Sequence, residues 1–319
     1  MKRLAVNKKF WRKAALLFLT LFILMNVVAF MHAWRFTHFS SANGSRVTSG
    51  SLSFGQKLKY ALTGVPNPRP QTGDIPRSNY KDVVIDSTYH TSAWFIPADS
   101  SKGTIVLLHG YGGEKSSMLD KASILKTLGW NCLLIDFRGG GASPGTKTSI
   151  GYYEAEQVAA AVKWLADQKQ GPVWLFGTSM GAAAALRAIA HESVSVSGLV
   201  LECPFATLYG TTAARFRMQG VPAFPMAGLI VFWGGVQQGF NGFAHNPVDY
   251  AREIKIPTLL MWGEKDPKVS ANETAAIFDN LKGPKLRINF PNAGHENYLL
   301  KYKNEWTDAI SGFLAKYQR

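Results

Sequence analysis

The chain has 319 residues, 46% of them hydrophobic, which suffices for a large globular domain with a buried core and excludes disorder over most of its length. Its 35 basic and 21 acidic residues give a formal charge of +14, but Lys2, Arg3, Lys8, Lys9, Arg12 and Lys13 supply six of those charges before any acidic residue occurs. The remaining +8 is spread along the chain without a dense Lys/Arg run interleaved with aromatics, which argues against a nucleic-acid partner.

After the basic tip, residues 14–34 read AALLFLTLFILMNVVAFMHAW, with no formal charge. About 20 apolar residues in a helix span a bilayer, so this stretch is expected to be a membrane helix. A cleaved signal peptide shares the pattern of charge followed by apolar core. Here the core is long for that, and the nearest small-residue site, Ser40-Ser41-Ala42, lies well beyond it. The six leading positive charges, against Arg35 and Arg46 soon after, are expected to hold the N-terminus in the cytoplasm and the body outside. Residues 1–35 are therefore read as a cytoplasmic tip and single spanning helix. Residues 36–79, rich in Ser, Gly, Pro and Asn, are read as a tether and extended lead-in.

From residue 80 onward, short β-branched and apolar runs alternate with segments of helical length. The expected strands are 82–86, 92–96, 104–108, 132–136, 173–176, 198–201, 258–262 and 286–290. The expected helices are 117–128, 152–168, 180–191, 271–281 and 304–316. This alternation predicts an α/β fold with a mostly parallel eight-stranded sheet covered on both faces. Residues 204–255 fit no single strand–helix unit and are rich in Gly and aromatics, so they are read as a cap inserted after the sixth strand, with an apolar inner face. Cys132 falls near the start of one strand and Cys203 just past the end of another. A five-residue strand spans roughly 15 Å and a disulfide needs Cα atoms within about 7 Å, so both read as free and buried. Neither lies in a zinc-ligand pattern, and no metal site is expected.

In chain order, the first chemically informative loop is His109-Gly110-Tyr111-Gly112-Gly113, after the third strand. The next is Gly141-Ala142-Ser143-Pro144-Gly145, a G-x-S-x-G match whose serine is followed by proline, which has no N–H to offer, and by no helix. The third, Gly177-Thr178-Ser179-Met180-Gly181, has the same pattern between the run PVWLF and the helical AAAALRAIAH. That is the context of a nucleophile elbow, where the serine sits on a strained strand-to-helix turn that bulk two residues away would obstruct. Ser179 is thus the expected nucleophile, and the backbone N–H of Met180 an expected oxyanion donor, with that of Tyr111 as the second. His109 is read as structural.

A serine needs a base to remove its proton. Only His191, His245 and His295 follow Ser179. His191 belongs to the elbow helix and His245 to the cap, whereas His295 lies in a turn just beyond the last strand. Asp266, in Gly263-Glu264-Lys265-Asp266-Pro267 after the seventh strand, is the expected orienting acid, with Glu264 and Glu202 as competitors. GxGxxG, the GK[ST] ending and HExxH are all absent, so no cofactor is expected.

The successive segments TIVLLHGYGG, LLIDFRGGGASPG, VWLFGTSMGA, IPTLLMWGEKD and FPNAGHE resemble the landmarks of the α/β-hydrolase superfamily, in order. The chain also resembles the branch containing serine aminopeptidase-like and esterase-like members with a single spanning helix. The resemblance implies a cleft beneath a variable cap. It also implies hydrolysis through the Ser179, Asp266 and His295 set. An extra glycine in Gly139 to Gly141 departs from the pattern. The expected substrate is a small-molecule or lipid-like carboxylic ester or thioester. Peptide or amide hydrolysis shares the same three residues, and a catalytically silent lipid- or protein-binding module is the reading from another class.

Overall fold

A computed structural model describes residues 8–40 and 52–318. Lys2, Arg3, Ser41, Ala42 and Arg46 lie outside the described residues. Eight strands form one sheet in the order β1-β2-β4-β3-β5-β6-β7-β8. They are β1 (Lys81–Ile85), β2 (Thr91–Ile96), β3 (Thr104–Leu108), β4 (Asn131–Ile135), β5 (Val173–Thr178), β6 (Gly198–Glu202), β7 (Thr258–Gly263) and β8 (Lys285–Phe290). β2 pairs antiparallel with β1 and β4, and all later pairings are parallel.

β3, β4, β6 and β7 are buried throughout, as strands covered on both faces must be. Their side chains alternate between two cores. Val106, Leu108, Leu133, Ile135, Leu175 and Leu199 pack on one side. Ile105, Leu107, Leu134, Trp174, Phe176 and Val200 pack on the other. The first core is closed by α4 (Glu154–Asp167) and α5 (Met180–His191), and the second by α3 (Leu119–Thr127) and α11 (Lys303–Tyr317). The alanines of α5 are buried, so this helix lies close against the strands.

All eight expected strands and all five expected helices of the body occur, with ends shifted by a residue or two. The expected helix over 117–128 is the exception at its start, where a 3-10 turn over Lys115–Met118 precedes α3. Both cysteines are free and buried.

One segment differs from the sequence expectation. The segment read as an extended lead-in contains a helix, α2 (Phe54–Thr63), started by a reciprocal capping box between Ser53 and Gln56. Phe39 is buried, Ser40 bridges to Pro68, and Arg69 donates to Gly141 O and Ser143 O at 3.0 and 2.6 Å, so this segment packs on the body. Between β6 and β7 stand α6 (Leu208–Arg217), α7 (Met226–Gln238) and the short α8 (Pro247–Tyr250). α9 (Ala271–Asn280) and the short α10 (Tyr298–Lys301) complete the body.

The stretch expected to span is α1 (Lys8–Thr37), a single 30-residue helix. Its most apolar window has a mean hydropathy of 2.5 and is only 6% buried, which excludes a core helix and makes it a candidate membrane anchor. Its last turns are covered on one face only, since Phe30, Met31 and Trp34 remain exposed. Ala29, Ala33 and Thr37 are buried against the protein.

Candidate active site

β5 ends at Thr178 and α5 begins at Met180, so Ser179 alone makes the turn, with φ 53° and ψ −108°. A positive φ is costly for any residue with a Cβ, and the surrounding packing must hold it. A Cβ on Gly177 would lie 2.5 Å from Ala182 N, and one on Gly181 would lie 2.2 Å from Leu108 O. The two glycines are therefore what let strand and helix close to this distance. Ser179 lines a cavity of about 1150 Å³.

Asp266 and His295 come to Ser179 from the ends of β7 and β8. His295 Nε2 stands 3.0 Å from Ser179 Oγ, and His295 Nδ1 stands 2.7 Å from Asp266 Oδ2. The other oxygen of Asp266 accepts the backbone N–H groups of Lys268 and Val269 at 2.7 and 3.0 Å, so the carboxylate is held on both sides. With the Nδ1 proton directed at Asp266, the Nε2 lone pair faces the serine hydroxyl.

The competing acids are engaged elsewhere. Glu264 is exposed and accepts from Asn289. Glu202 is buried, accepting from Thr178 Oγ1 at 2.9 Å and Trp306 Nε1 at 2.7 Å, with Lys121 Nζ at 3.5 Å.

Burial is the largest single influence on the His295 imidazole and lowers its affinity for a proton. Cys203 and Asp266 act oppositely, and the balance is raised above 6.5. A thiol contributes in this way only when ionised, whereas the Asp266 hydrogen bond persists whatever the thiol's state. Cys203, Asp266 and His295 also present ligand-type atoms within 4.8 Å of one another. The His295 and Asp266 donors already bond each other, so a cation there would have to break that contact.

Met180 is the first residue of α5, where an N–H has no partner inside the helix. The loop after β3 comes equally close, since a Cβ on Gly110 would lie 3.7 Å from that of Ser179. Tyr111 follows it and lines the same cavity. Its hydroxyl donates to Phe36 O and accepts from Asn67 Nδ2, each at 2.7 Å, which ties this loop to the end of α1. Partners 75 and 44 residues away leave no trace in local sequence.

His109 is buried. Its Nδ1 bonds Gly110 O at 2.9 Å, its Nε2 accepts from Phe137 N at 3.0 Å, and burial lowers its pKa, so it fixes this loop to the start of the next. Ser143 is buried too, donating to Asp136 O and accepting from Ser92 N. The extra glycine has a cause. At Gly141, with φ +50°, a Cβ would fall 2.2 Å from the Asp136 carboxylate, which forms a buried ion pair with Lys115 at 2.5 Å.

The cavity's remaining wall is the apolar inner face of the cap. Of the cap aromatics, only Phe205 and Phe240 line it. Phe224, Phe232 and Phe243 are exposed, and Trp233 packs on Phe30 of α1 at 5.4 Å. Aliphatic Leu208, Met218, Ile230 and Val231 form the inner face instead. α7 carries no charge because one side meets the cavity and another meets α1. Among the described residues, the charged ones around the cavity are Arg35, Lys57, Lys121, Arg215 and Lys268 against Glu296. The Arg215 guanidinium lies over the Phe36 and Tyr111 rings, at 4.2 and 5.3 Å.

The sequence model of a family described as "Serine aminopeptidase, S33" matches residues 99–227. The chain is similar to the protein YqkD of Bacillus subtilis, 26% identical over 71% of this chain and 75% of that protein. It is also similar to the lysophosphatidylserine lipase ABHD12 of Macaca fascicularis, 25% identical over 55% of this chain and 45% of the lipase. Among solved structures, the Pyrococcus furiosus esterase Pf2001 superposes with a TM-score of 0.66 at 26% identity, covering 80% of this chain and all of the esterase. The chain is an α/β-hydrolase. As in the sheet described above, this hydrolase places its serine turn and the two loops bearing Asp266 and His295 at the carboxyl ends of parallel strands.

Proposed function

We propose that this α/β-hydrolase cleaves a lipophilic carboxylic ester or thioester through an acyl-enzyme on Ser179. The observation that carries the reading is the continuous Ser179–His295–Asp266 hydrogen-bond chain, 3.0 and 2.7 Å long. His295 Nε2 takes the hydroxyl proton as Ser179 Oγ attacks the acyl carbon, and Asp266 holds the imidazolium that forms. The carbonyl oxygen becomes an oxyanion facing the N–H groups of Tyr111 and Met180. On collapse the carbon–oxygen or carbon–sulfur bond breaks, and His295 returns its proton to the leaving alcohol or thiol. A water, deprotonated by the same histidine, then releases the acid and restores the serine. The apolar cap wall supports a lipophilic acyl or alcohol part, as does the likeness to an esterase and a lipase.

The same machinery serves amide cleavage, and the matching family's description favours an aminopeptidase. An aminopeptidase must bind a free ammonium group, for which acidic residues are needed. Five basic residues and one acidic residue around the cavity oppose that substrate and favour an anionic or neutral one. A silent binding module would have no use for the serine's strained turn.

For placement, α1 acts as an uncleaved anchor, with its basic start in the cytoplasm and the hydrolase body outside. Incubation with a fluorophosphonate followed by peptide mapping tests the reading. Labelling at Ser179, together with loss of ester turnover in Ser179→Ala, is expected. Absence of label, or equal turnover by the two proteins, counts against it.

A further inference from the structure

α1 is about 45 Å long at 1.5 Å per residue, whereas a bilayer's hydrocarbon core is about 30 Å thick. The surplus lies at its C-terminal end, and the structure shows what it does there. α7 lies along that end. Trp233 Nε1 donates to Asn26 Oδ1 at 3.1 Å, Gln237 Nε2 donates to Phe30 O at 2.9 Å, and a Cβ on Gly234 would lie 4.0 Å from the Ala33 and Thr37 side chains. Asn26 is a polar residue of the expected span, so its cap partner stands at the depth of the apolar segment. Opposite, His32 Nε2 bonds Ala61 O of α2 at 2.9 Å. α2 buries no residue, and its Phe54, Leu58 and Leu62 are exposed, as befits a helix lying on an interface.

Between α1, α2 and the cap runs an apolar groove of about 340 Å³. It begins at Leu21 and Leu24, which belong to the exposed length of α1, and passes Met25, Val28, Phe216 and Met226. It ends at His32, Ala61 and Ile230, and these three also line the cavity containing Ser179. Leu21 and His32 are eleven residues apart, so the groove follows roughly 16 Å of helix. An apolar groove at the depth of the span, sharing a wall with the cavity of the reactive serine, suits a hydrocarbon chain, which gains by staying out of water along its whole length.

We infer that the anchor helix is one wall of the substrate path: the acyl chain of a bilayer lipid enters between α1 and the cap, through the groove from Leu21 to Ile230, to reach Ser179. This rests on the ester-hydrolase reading above and names its substrate class as membrane-resident. The anchor then positions substrate as well as holding the enzyme at the membrane.

The test uses the full chain in phospholipid vesicles and a long-chain alkyl fluorophosphonate with a diazirine at the far end of its chain. Ser179 Oγ displaces fluoride from phosphorus, light then fixes the chain terminus, and peptide mapping finds both attachments. The expected result is a cross-link from Ser179 to groove residues such as Met25, Val28 or Met226. Attachment at Ser179 with the terminus fixed elsewhere, for example on Phe205 or Phe240, overturns the path and leaves the hydrolase reading standing. No attachment at Ser179 overturns the hydrolase reading itself. As a second measurement, Val28→Trp narrows the groove. The ratio of kcat/KM for long-chain to short-chain esters should fall by about tenfold, the loss expected when roughly two methylenes lose their burial. An unchanged ratio counts against the path.

Discussion

Ser179 holds a positive φ between two glycines, and this strain places its hydroxyl 3.0 Å from His295. Gly181→Val forces side-chain carbon into Leu108 O and opens the turn, so it should abolish fluorophosphonate labelling. The raised pKa of His295 sets the pH dependence. A base must be neutral to act, so the acid limb of kcat/KM should lie above pH 6.5, with activity rising as pH rises through it. Asp266→Asn removes the charge that favours the imidazolium and should move that limb downward while lowering kcat/KM. Stability runs the other way. The imidazolium–Asp266 pair contributes fully below the unfolded histidine's pKa and is lost as pH rises through the folded one. Arg215 lies on rings in the cavity, and no ion pair involves it among the described residues. Arg215→Met should therefore lower kcat/KM for an ester bearing a phosphate or carboxylate by about tenfold or more, in line with roughly 1.5–3 kcal/mol for a charged hydrogen bond. A neutral ester of the same chain should change less.

Among the elements, those with a strong local signal were the ones legible beforehand. β3 and β5 are unbroken apolar runs, and α5 is a run of alanines after a glycine-flanked serine. α2 escaped because its helix signal is short and sits in a segment of turn-forming residues. α7 escaped because its apolar residues satisfy no single face. The loop joining β4 to α4 is held by the buried Lys115–Asp136 pair, which receives Ala142 N at 2.8 Å as well. Lys115→Met leaves the Asp136 carboxylate buried without its cation and should cost about 3–5 kcal/mol, read as a fall in Tm of the detergent-solubilised chain. Nothing in the local sequence reveals this pair, since its members are 21 residues apart and meet only when β4 takes its place.

For the whole molecule, α1 and the hydrolase body form one packed unit. The chain should stay in the membrane pellet after an alkaline carbonate wash and leave it only with detergent. Its mass should show an intact N-terminus, and protease added from outside should digest the body. Release by carbonate, or a mass lacking α1, would replace the anchor with a cleaved leader. What the amino-acid order alone determined is what local chemistry dictates. The short apolar runs of the body are strands, the glycines make the turn at Ser179, and the span's length and charge suit a bilayer. Chain order even ranked Asp266 and His295 among their competitors, because the ends of parallel strands converge on one edge of a sheet. Only the tertiary structure decided what lines the cavity: α1 beside Ser179, Arg215 over Phe36, and a groove shared between anchor and cap. Those contacts join residues far apart in the chain, and burial, unlike turn or helix propensity, has no value until the surfaces that share it have met.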